Sequence, residues 1–522
     1  MKKQLFFALL ILSRFVSAQD GQVDLTFGNN GVRFDAPGTP YIQTTNDGKV
    51  FLMINNQIKK LTNNGALDTT FGNMGVFSNP NTYRSISLYP NGKLLTQEAL
   101  NLYQSRVVRL NSDGSIDTTF GTSANNSVDF SNSGCSPCIY NPTVTLSNNN
   151  SNDTFFIVAN DDYYMGSRGV VILKSETGTT NFIISPVYTP AVTGGTGIHI
   201  TTSARKILKS SDGNYFVGGE AVRINNNSGV SHREGSKAFV TKYYSQGSLI
   251  NSFIFTASQG SSSGSNGGVD YYLDAQDNVY TLAVDNKYNN GQSLYYYRIY
   301  KTDKFGNLDY NFGSSNFSGY LNVSTAFSSI TAYKTNFQRM LVQPDGKILL
   351  IGNTTYVDSS TTQNKEIMLA RFNTNGTLDN TFGTNGFVIY DIDPTANEYL
   401  TNVGTNSNMT EIYISAVINA TTTSPSKTAI VKFKNNSVLS AEEVITQQDL
   451  LCYPNPVKDI LNLSYNKKII SVTIYNAVGQ KLFTEEINAK DAKIDTSNLA
   501  RGTYWVKAIC DNEVKTTKII KK

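Results

Sequence analysis

Asn375-Gly-Thr-Leu-Asp379-Asn-Thr-Phe382-Gly383-Thr-Asn-Gly386 is the stretch on which the fold turns. Its kernel, Gly-x-apolar-Asp-x-(Thr/Asn)-Phe-Gly, returns at Gly21–Gly28, Gly65–Gly72, Gly114–Gly121 and Gly306–Gly313. A worn copy, Gly247–Phe253, has Ile250 in place of Asp, and a weaker one lies near Gly178–Phe182. Asp bonds readily to backbone two residues on, so each copy reads as a turn, with Phe as a packing plug.

A second motif precedes every copy but the first. It is a turn pair, a Lys-like position and an apolar run, as in Asp47-Gly48-Lys49-Val-Phe-Leu-Met-Ile54 and Asp345-Gly346-Lys347-Ile-Leu-Leu-Ile351. Further copies are Asn91-Gly92, Asp212-Gly213 and Asp277-Asn278, with degenerate ones at Asn152-Asp153 and Met409-Thr410. These are seven units. Asp-Gly and Asn-Gly suit hairpin turns because both residues tolerate positive φ. The runs after them are apolar throughout, which a strand shows when both its faces are buried.

Units of this length with several strands each predict blades. The last unit ends on Thr428–Phe433 with no Phe-Gly motif after it, and the first motif, at Phe27, has no turn motif before it. The N-terminal segment therefore completes the last blade. That complementary deficit favours a closed ring over an open solenoid. The expectation is an all-β chain: a seven-bladed β-propeller, counted to within one blade, over 19–436.

Composition agrees and narrows the chemistry. With 16% charged residues the chain is neither a disordered polyelectrolyte nor a coiled coil, and a net charge of +4 is too small to imply nucleic acid. Only His199 and His232 are present, which excludes a three-His zinc site, and four cysteines exclude a disulfide-dense scaffold. Lys2 and Lys3, the apolar run Leu5–Val16 and Val16-Ser17-Ala18 read as a signal peptide over 1–18, with cleavage before Gln19. That run is shorter than the ~20 residues needed to span a bilayer, and no later segment resembles a transmembrane run.

Polar residues 437–449 interrupt the repeat as a linker. After them come Tyr453-Pro454-Asn455-Pro456-Val457 and short strands at Ile460–Ser464, Ile470–Tyr475, Lys481–Phe483, Thr503–Ile509 and Lys515–Lys522. The region 450–522 reads as a small Ig-like β-sandwich.

The repeated units resemble the delta-60 repeat family of secreted bacterial proteins, which implies a propeller-like architecture and no established activity. The C-terminal module resembles the type A C-terminal sorting domain of the type IX secretion system. The matching residues include Tyr453, Pro454, Asn455, Pro456, Gly479, Gly502 and Tyr504, and the final Lys-Ile-Ile-Lys-Lys. That resemblance implies a Bacteroidetes-type host, the type IX machinery as partner, and passage across the outer membrane. It further implies removal of the domain, and release or attachment at the cell surface.

The remaining candidates each have a plainer reading. Cys135-Ser-Pro-Cys138 is a redox pair or half a metal site, or, more simply in an exported chain, a small disulfide. Cys452 and Cys510 are a further pair whose meeting the sequence does not settle. Asp24, Asp68, Asp117, Asp309 and Asp379 raise calcium. That ion needs six to eight converging oxygens, whereas each motif offers one Asp and a Thr, so turn bonding is the simpler reading and no cofactor is required. His199 sits in a strand-like stretch and His232 in a polar loop. Tyrosines cluster at Tyr295–Tyr300, Tyr243-Tyr244 and Tyr271-Tyr272, and Ser258–Gly268 reads as a mobile loop. No phosphate-cradling loop or nucleophile elbow is present.

Three functions stand: a binding or adhesion protein with a glycan or surface-protein partner, a polysaccharide lyase or glycosidase, and a structural surface protein. Asp161, Asp162, Glu220 and Asp270 are the acids an enzyme would draw on. No spacing brings them together, no catalytic residue is assigned, and the binder is preferred.

Overall fold

The computed structural model describes residues 20–522 apart from 79–81, 90, 101–103, 122–125, 132–138, 147–154, 162–169, 177–178, 186–197, 226–231, 245–248, 255–264, 290–291, 314–318, 324–332, 358–361, 422–423, 436–449, 477–479 and 511–512. The chain divides into two compact units, 1–437 and 438–522. No helix among the described residues is long and apolar enough to cross a membrane.

The first unit holds seven four-stranded antiparallel blades among the described residues, of which blades 4 and 5 are joined into one eight-stranded sheet by a parallel pairing of Lys237 with Asn266. Blade 1 is Tyr41–Thr44, Val50–Ile54, Gln57–Leu61 and Val76–Ser78. Blade 2 is Thr82–Leu88, Leu94–Ala99, Gln104–Leu110 and Ser127–Ser131. Blade 3 is Ile139–Leu146, Phe155–Asp161, Val170–Glu176 and Thr179–Ser185. Blade 4 is Ile198–Lys209, Tyr215–Asn225, His232–Tyr243 and Leu249–Ile254. Blade 5 is Ser265–Leu273, Val279–Asn289, Gln292–Thr302 and Tyr320–Asn322. Blade 6 is Tyr333–Val342, Ile348–Val357, Thr362–Phe372 and Phe387–Tyr390. Blade 7 is Glu398–Thr405, Glu411–Ile418, Lys427–Lys434 and, from the N-terminus, Val32–Asp35.

First strands lie beside first strands at five junctions, that of blade 7 with blade 1 among them. Blade 3 meets the first strand of blade 4 through its second strand, and blade 6 meets that of blade 7 through its second and third, so the ring closes. The second strands are the apolar runs. Val50–Ile54 is buried at every position, because each blade is covered on both faces by its neighbours. The expected loop Ser258–Gly268 ends earlier than its composition implies, since Ser265–Gly268 already belongs to the first strand of blade 5.

A motif carboxylate latches five of the seven blades among the described residues, buried in four of them and half-buried as Asp309 in blade 5. Oδ1 of Asp24, Asp68, Asp117 and Asp379 accepts the Thr hydroxyl two residues on at 2.6–2.8 Å and the same residue's N–H at 3.0–3.2 Å. Oδ2 faces a cation on the third strand. Arg109 Nε donates to Asp117 and Arg371 Nε to Asp379, each at 2.7 Å, while Lys60 and Lys301 stand 3.8 and 3.7 Å from Asp68 and Asp309. The worn copy shows the rule by its repair. Ile250 leaves Lys242 without the usual Asp, and Lys242 Nζ instead reaches Asp212 at 2.9 Å and the Lys304 carbonyl at 2.6 Å.

In blade 7 the latch joins the two ends of the repeat. Asp24 comes from the N-terminal segment, and Lys432 Nζ on the third strand lies 3.3 Å from its Oδ2. Val32–Asp35 pairs with Thr428–Val431. Arg371 reinforces the closure from blade 6: its Nη1 reaches Asp20 Oδ2 at 2.7 Å and Asn435 Oδ1 at 3.0 Å, and its guanidinium stacks over Phe382.

The second unit is one five-stranded sheet. Ile460–Asn476 is continuous where the sequence reading had two strands, because the register shifts between Ser464 and Ile469 let it bend without ending. Leu451–Tyr453 pairs with its first part and Gly502–Cys510 with its second, while Lys481–Asp495 follows the other edge. The bend folds the sheet over a single core that includes Leu461, Val472, Ile474, Ile494, Val506 and Ile519.

Two predictions follow from these contacts. Arg371 is 2% exposed and is shared by four partners, Asp20, Asp379, Thr381 and Asn435, so Arg371→Met should cost ~3–5 kcal/mol in denaturant unfolding, the range for breaking a buried pair. It should also expose the segment around Asp20 to limited proteolysis, which Arg109→Met should not. Glu398 is fully buried at the start of its strand and its Oε2 has no hydrogen-bond partner. Burial, with Asp391 and Glu366 nearby, pushes its carboxyl up to about 8, against the N–H groups of Ile392 and Asp393 on Oε1. The folded chain thus holds this proton more tightly than the unfolded chain. Its contribution is full below the ordinary carboxylate range and is lost as pH rises through about 8. Glu398→Gln should gain on the parent by up to ~1.4 kcal/mol per pH unit across that window; a difference flat with pH would contradict the assignment.

Candidate binding site

Antiparallel pairing sets the two faces of the ring. Turns from first to second strand and from third to fourth share one face, and the remaining connections share the other. The motif turns therefore gather on one face by construction.

Along the first strands, charges from different blades do meet, and they are spent on each other. Lys206 Nζ of blade 4 lies 3.0 Å from Asp270 Oδ1 of blade 5, and Asp270 Oδ2 accepts the Met340 N–H of blade 6 at 2.9 Å. Arg205 pairs with Glu220 at 2.9 Å, and Arg339 Nη2 donates to the Thr401 carbonyl of blade 7 at 3.2 Å. Asp270 thus holds blades together, while Glu220 pairs with Arg205 within blade 4. Asp161 ends a blade 3 strand of which the backbone alone is described, and Asp162 lies outside the described residues.

The motif acids are equally committed. Burial pushes the Asp117 carboxyl up, but Lys93, Thr119 and Arg109 together hold it well below the ordinary range. Asp379 is likewise lowered by Thr381, Arg371 and Lys347 against the effect of burial. A carboxylate already facing one or two cations is a poor ligand for calcium. No group of three or more His, Cys, Asp or Glu among the described residues is placed to hold a metal.

The other sequence candidates resolve unevenly. Tyr243, Tyr271, Tyr297 and Tyr300 are blade packing, while Tyr244 is 45% exposed. His199 pairs across the sheet with Ile224; His232 opens a strand opposite Asn225 rather than lying in a loop. Cys135 and Cys138 fall outside the described residues. Cys452 and Cys510 are free thiols, and burial pushes Cys452 up to about 11.

The turn face carries a feature the sequence reading did not pick out. A crevice of about 820 Å³ opens where the turns of blades 5, 6 and 7 meet. Tyr272, Tyr280, Lys301, Asp309, Phe312 and Gln343 are among the residues that line it. Burial pushes the Tyr272 phenol up to about 12, and Tyr280 is raised too, by burial and then by Asp274 and Asp309, so both stay neutral. Lys301 lies over the Tyr280 ring, and Phe312 meets that ring edge-on at 5.6 Å. A smaller crevice, about 620 Å³, lies between the turns of blades 1 and 2.

In the second unit, Asn455 explains part of its motif. Its Nδ2 donates to the Lys518 carbonyl at 3.0 Å and its Oδ1 accepts the Ile520 N–H at 2.8 Å, so the side chain pairs with the last strand as backbone would. Tyr453, Pro454 and Pro456 are exposed beside it. Tyr504 donates to the Ala500 carbonyl at 2.8 Å, and Gly502 begins the fourth strand. Gly479 lies outside the described residues.

Residues 451–522 match the family described as the secretion system C-terminal sorting domain. Residues 99–120 and 343–382 match the DUF5122 beta-propeller. No curated protein matches the chain. Among solved structures, it is similar to PorZ, a surface component of the type IX secretion system of Porphyromonas gingivalis, at 11% identity and a TM-score of 0.29, covering 92% of this chain and 70% of that one. It is similar to the polysaccharide lyase Uly1 at 9% and 0.41, covering 81% and 94%. The beta-propeller domain of the Trilobed protease from Pyrococcus furiosus stands at 10% and 0.33, covering 80% and 99%. The chain is a β-propeller protein whose residues 451–522 match a secretion system C-terminal sorting domain, which indicates export to the cell surface or secretion.

Proposed function

We propose that the chain is a binding or adhesion protein, exported by the type IX secretion system and released or held at the outer-membrane surface. The signal peptide over 1–18 takes it across the inner membrane and is removed. The propeller over 19–436 makes the contact. Residues 450–522, after the linker 437–449, are the sorting signal, read by the secretion machinery through the surface around Tyr453–Pro456.

One contrast supports binding over catalysis. Asp270 is bonded to Lys206 and the Met340 N–H of neighbouring blades and Glu220 to Arg205 of its own, whereas the turn face keeps a crevice lined by rings, amides and the Lys301–Asp309 pair. A glycosidase needs a free carboxyl pair flanking its bond, and Glu220 and Asp270 are each bonded to a basic side chain. A glycan or a surface protein is the class of partner.

Deleting residues 450–522 should trap the protein in the periplasm, as seen by fractionation and immunoblot; normal appearance outside the cell would refute the export route. A glycan array probed with the purified chain should show saturable binding to one class. Because the motif acids already face cations, a chelator should leave that binding unchanged. Loss of binding on chelation would restore calcium.

A further inference from the structure

Three blade junctions on the turn face share one scheme, and the junction between blades 5 and 6 departs from it. In those three the Phe of one motif copy closes against the first Gly of the next, whereas at Gly306, between blades 4 and 5, the neighbour is Asn251. A side chain on Gly65 would begin 3.2 Å from Phe27, on Gly114 3.0 Å from Phe71, and on Gly21 3.1 Å from Phe382. Each copy is socket and plug together. At Gly376 the neighbour is Leu321, and Phe312, the plug expected there, is half-buried on the crevice wall. The sequence differs at the same place. The glycine that follows the plug comes four residues later at Phe27, Phe71 and Phe382, as Gly31, Gly75 and Gly386, but Phe312 waits until Gly319.

The opened junction contains an unpaired amide. Gln343 is 3% exposed, lines the crevice, and neither its Oε1 nor its Nε2 has a hydrogen-bond partner. Burying a polar group unpaired costs ~1–3 kcal/mol, so a buried amide with both ends unused signals a ligand that supplies a donor and an acceptor. Beside it, Lys301 and Asp309 stand 3.7 Å apart, too far for a direct hydrogen bond, and both are partly exposed. That spacing leaves donor and acceptor capacity on each side of the pair. Asp274 offers little, since its carboxylate already takes the N–H groups of Gln276 and Asn278 and the Asn278 amide.

We propose that this crevice binds a neutral saccharide unit. The proposal rests on the reading of the propeller as a binding protein and names its ligand class. A hydroxyl is donor and acceptor at once, which is what Gln343 and the Lys301–Asp309 pair call for. Lys301 stands beside Asp309, so no lone positive charge selects phosphate or sulfate, and the remaining charge, Asp274, has its carboxylate taken up by the N–H groups of Gln276 and Asn278 and the Asn278 amide. Phe312, Val342 and Pro344 supply the apolar wall against which the C–H face of a pyranose packs. The volume lies within the range of small-ligand sites.

The test uses the full purified chain, an array of neutral, sialylated, sulfated and uronate glycans, and calorimetry on the best neutral hit. Two variants probe the site. Gln343→Leu removes the amide, and Ser407→Trp crowds the mouth from an exposed position. Both should weaken binding at least tenfold, and Gln343→Leu should leave the melting temperature unchanged or higher. A fall of several degrees would make Gln343 a structural residue and overturn the site. Unchanged affinity in both variants would place the ligand elsewhere, with the binder reading intact. Binding confined to charged glycans would overturn the ligand class. A blank array would do the same, and a parallel assay of binding to whole cells and surface proteins would then show whether the binder reading survives.

Discussion

A motif carboxylate, present in five of the seven blades, organises the ring. The motif Asp closes its own turn with one oxygen and fixes a cation on the third strand with the other. The turn alone would position the loop and nothing else. The ion pair ties that loop to the strand behind it, and so sets where the following Phe points. Taking such a charge out of water is costly unless geometry and further bonds compensate, and here the Thr hydroxyl and backbone N–H do so. The repair at Lys242 shows that a cation stranded by the loss of its Asp has to be met by some other oxygen.

Much of this was legible in the sequence because the same physics is written several times over. Asp-Gly turns, runs buried on both faces and the unmatched motif at Phe27 each point to a closed ring, and the Asp24–Lys432 contact is that unmatched motif meeting its blade. The sorting module was legible for a different reason: its motif residues are spread in order along the chain. Within it, Tyr465-Asn-Lys-Lys468 looks like a turn, yet the strand runs through, because a bulge bends a sheet without breaking it.

The crevice was not legible in the same way. Gln343 stands where the equivalent turns place Thr45, Tyr89, Ser210 and Asp274, and only the assembled register shows that its amide goes unpaired. The spacing from Phe312 to Gly319 was the available signal, and it becomes readable once the other plugs are known to close their sockets. Glu220 and Asp270 illustrate the converse. As scattered acids they are candidates for catalysis, and pairing with Arg205 within blade 4 and with Lys206 across to blade 4, respectively, gives them an occupation no spacing reveals.

Closing the ring with the N-terminal segment has a mechanical meaning. The strand Lys427–Lys434 leads toward the tail by which the protein is exported, and it is held on both edges, by Glu411–Ile418 and by Val32–Asp35. A pull applied along it loads both ladders in shear, so their hydrogen bonds must fail together rather than peel away singly. The clasp therefore guards the last strand of the propeller against peeling under such a pull.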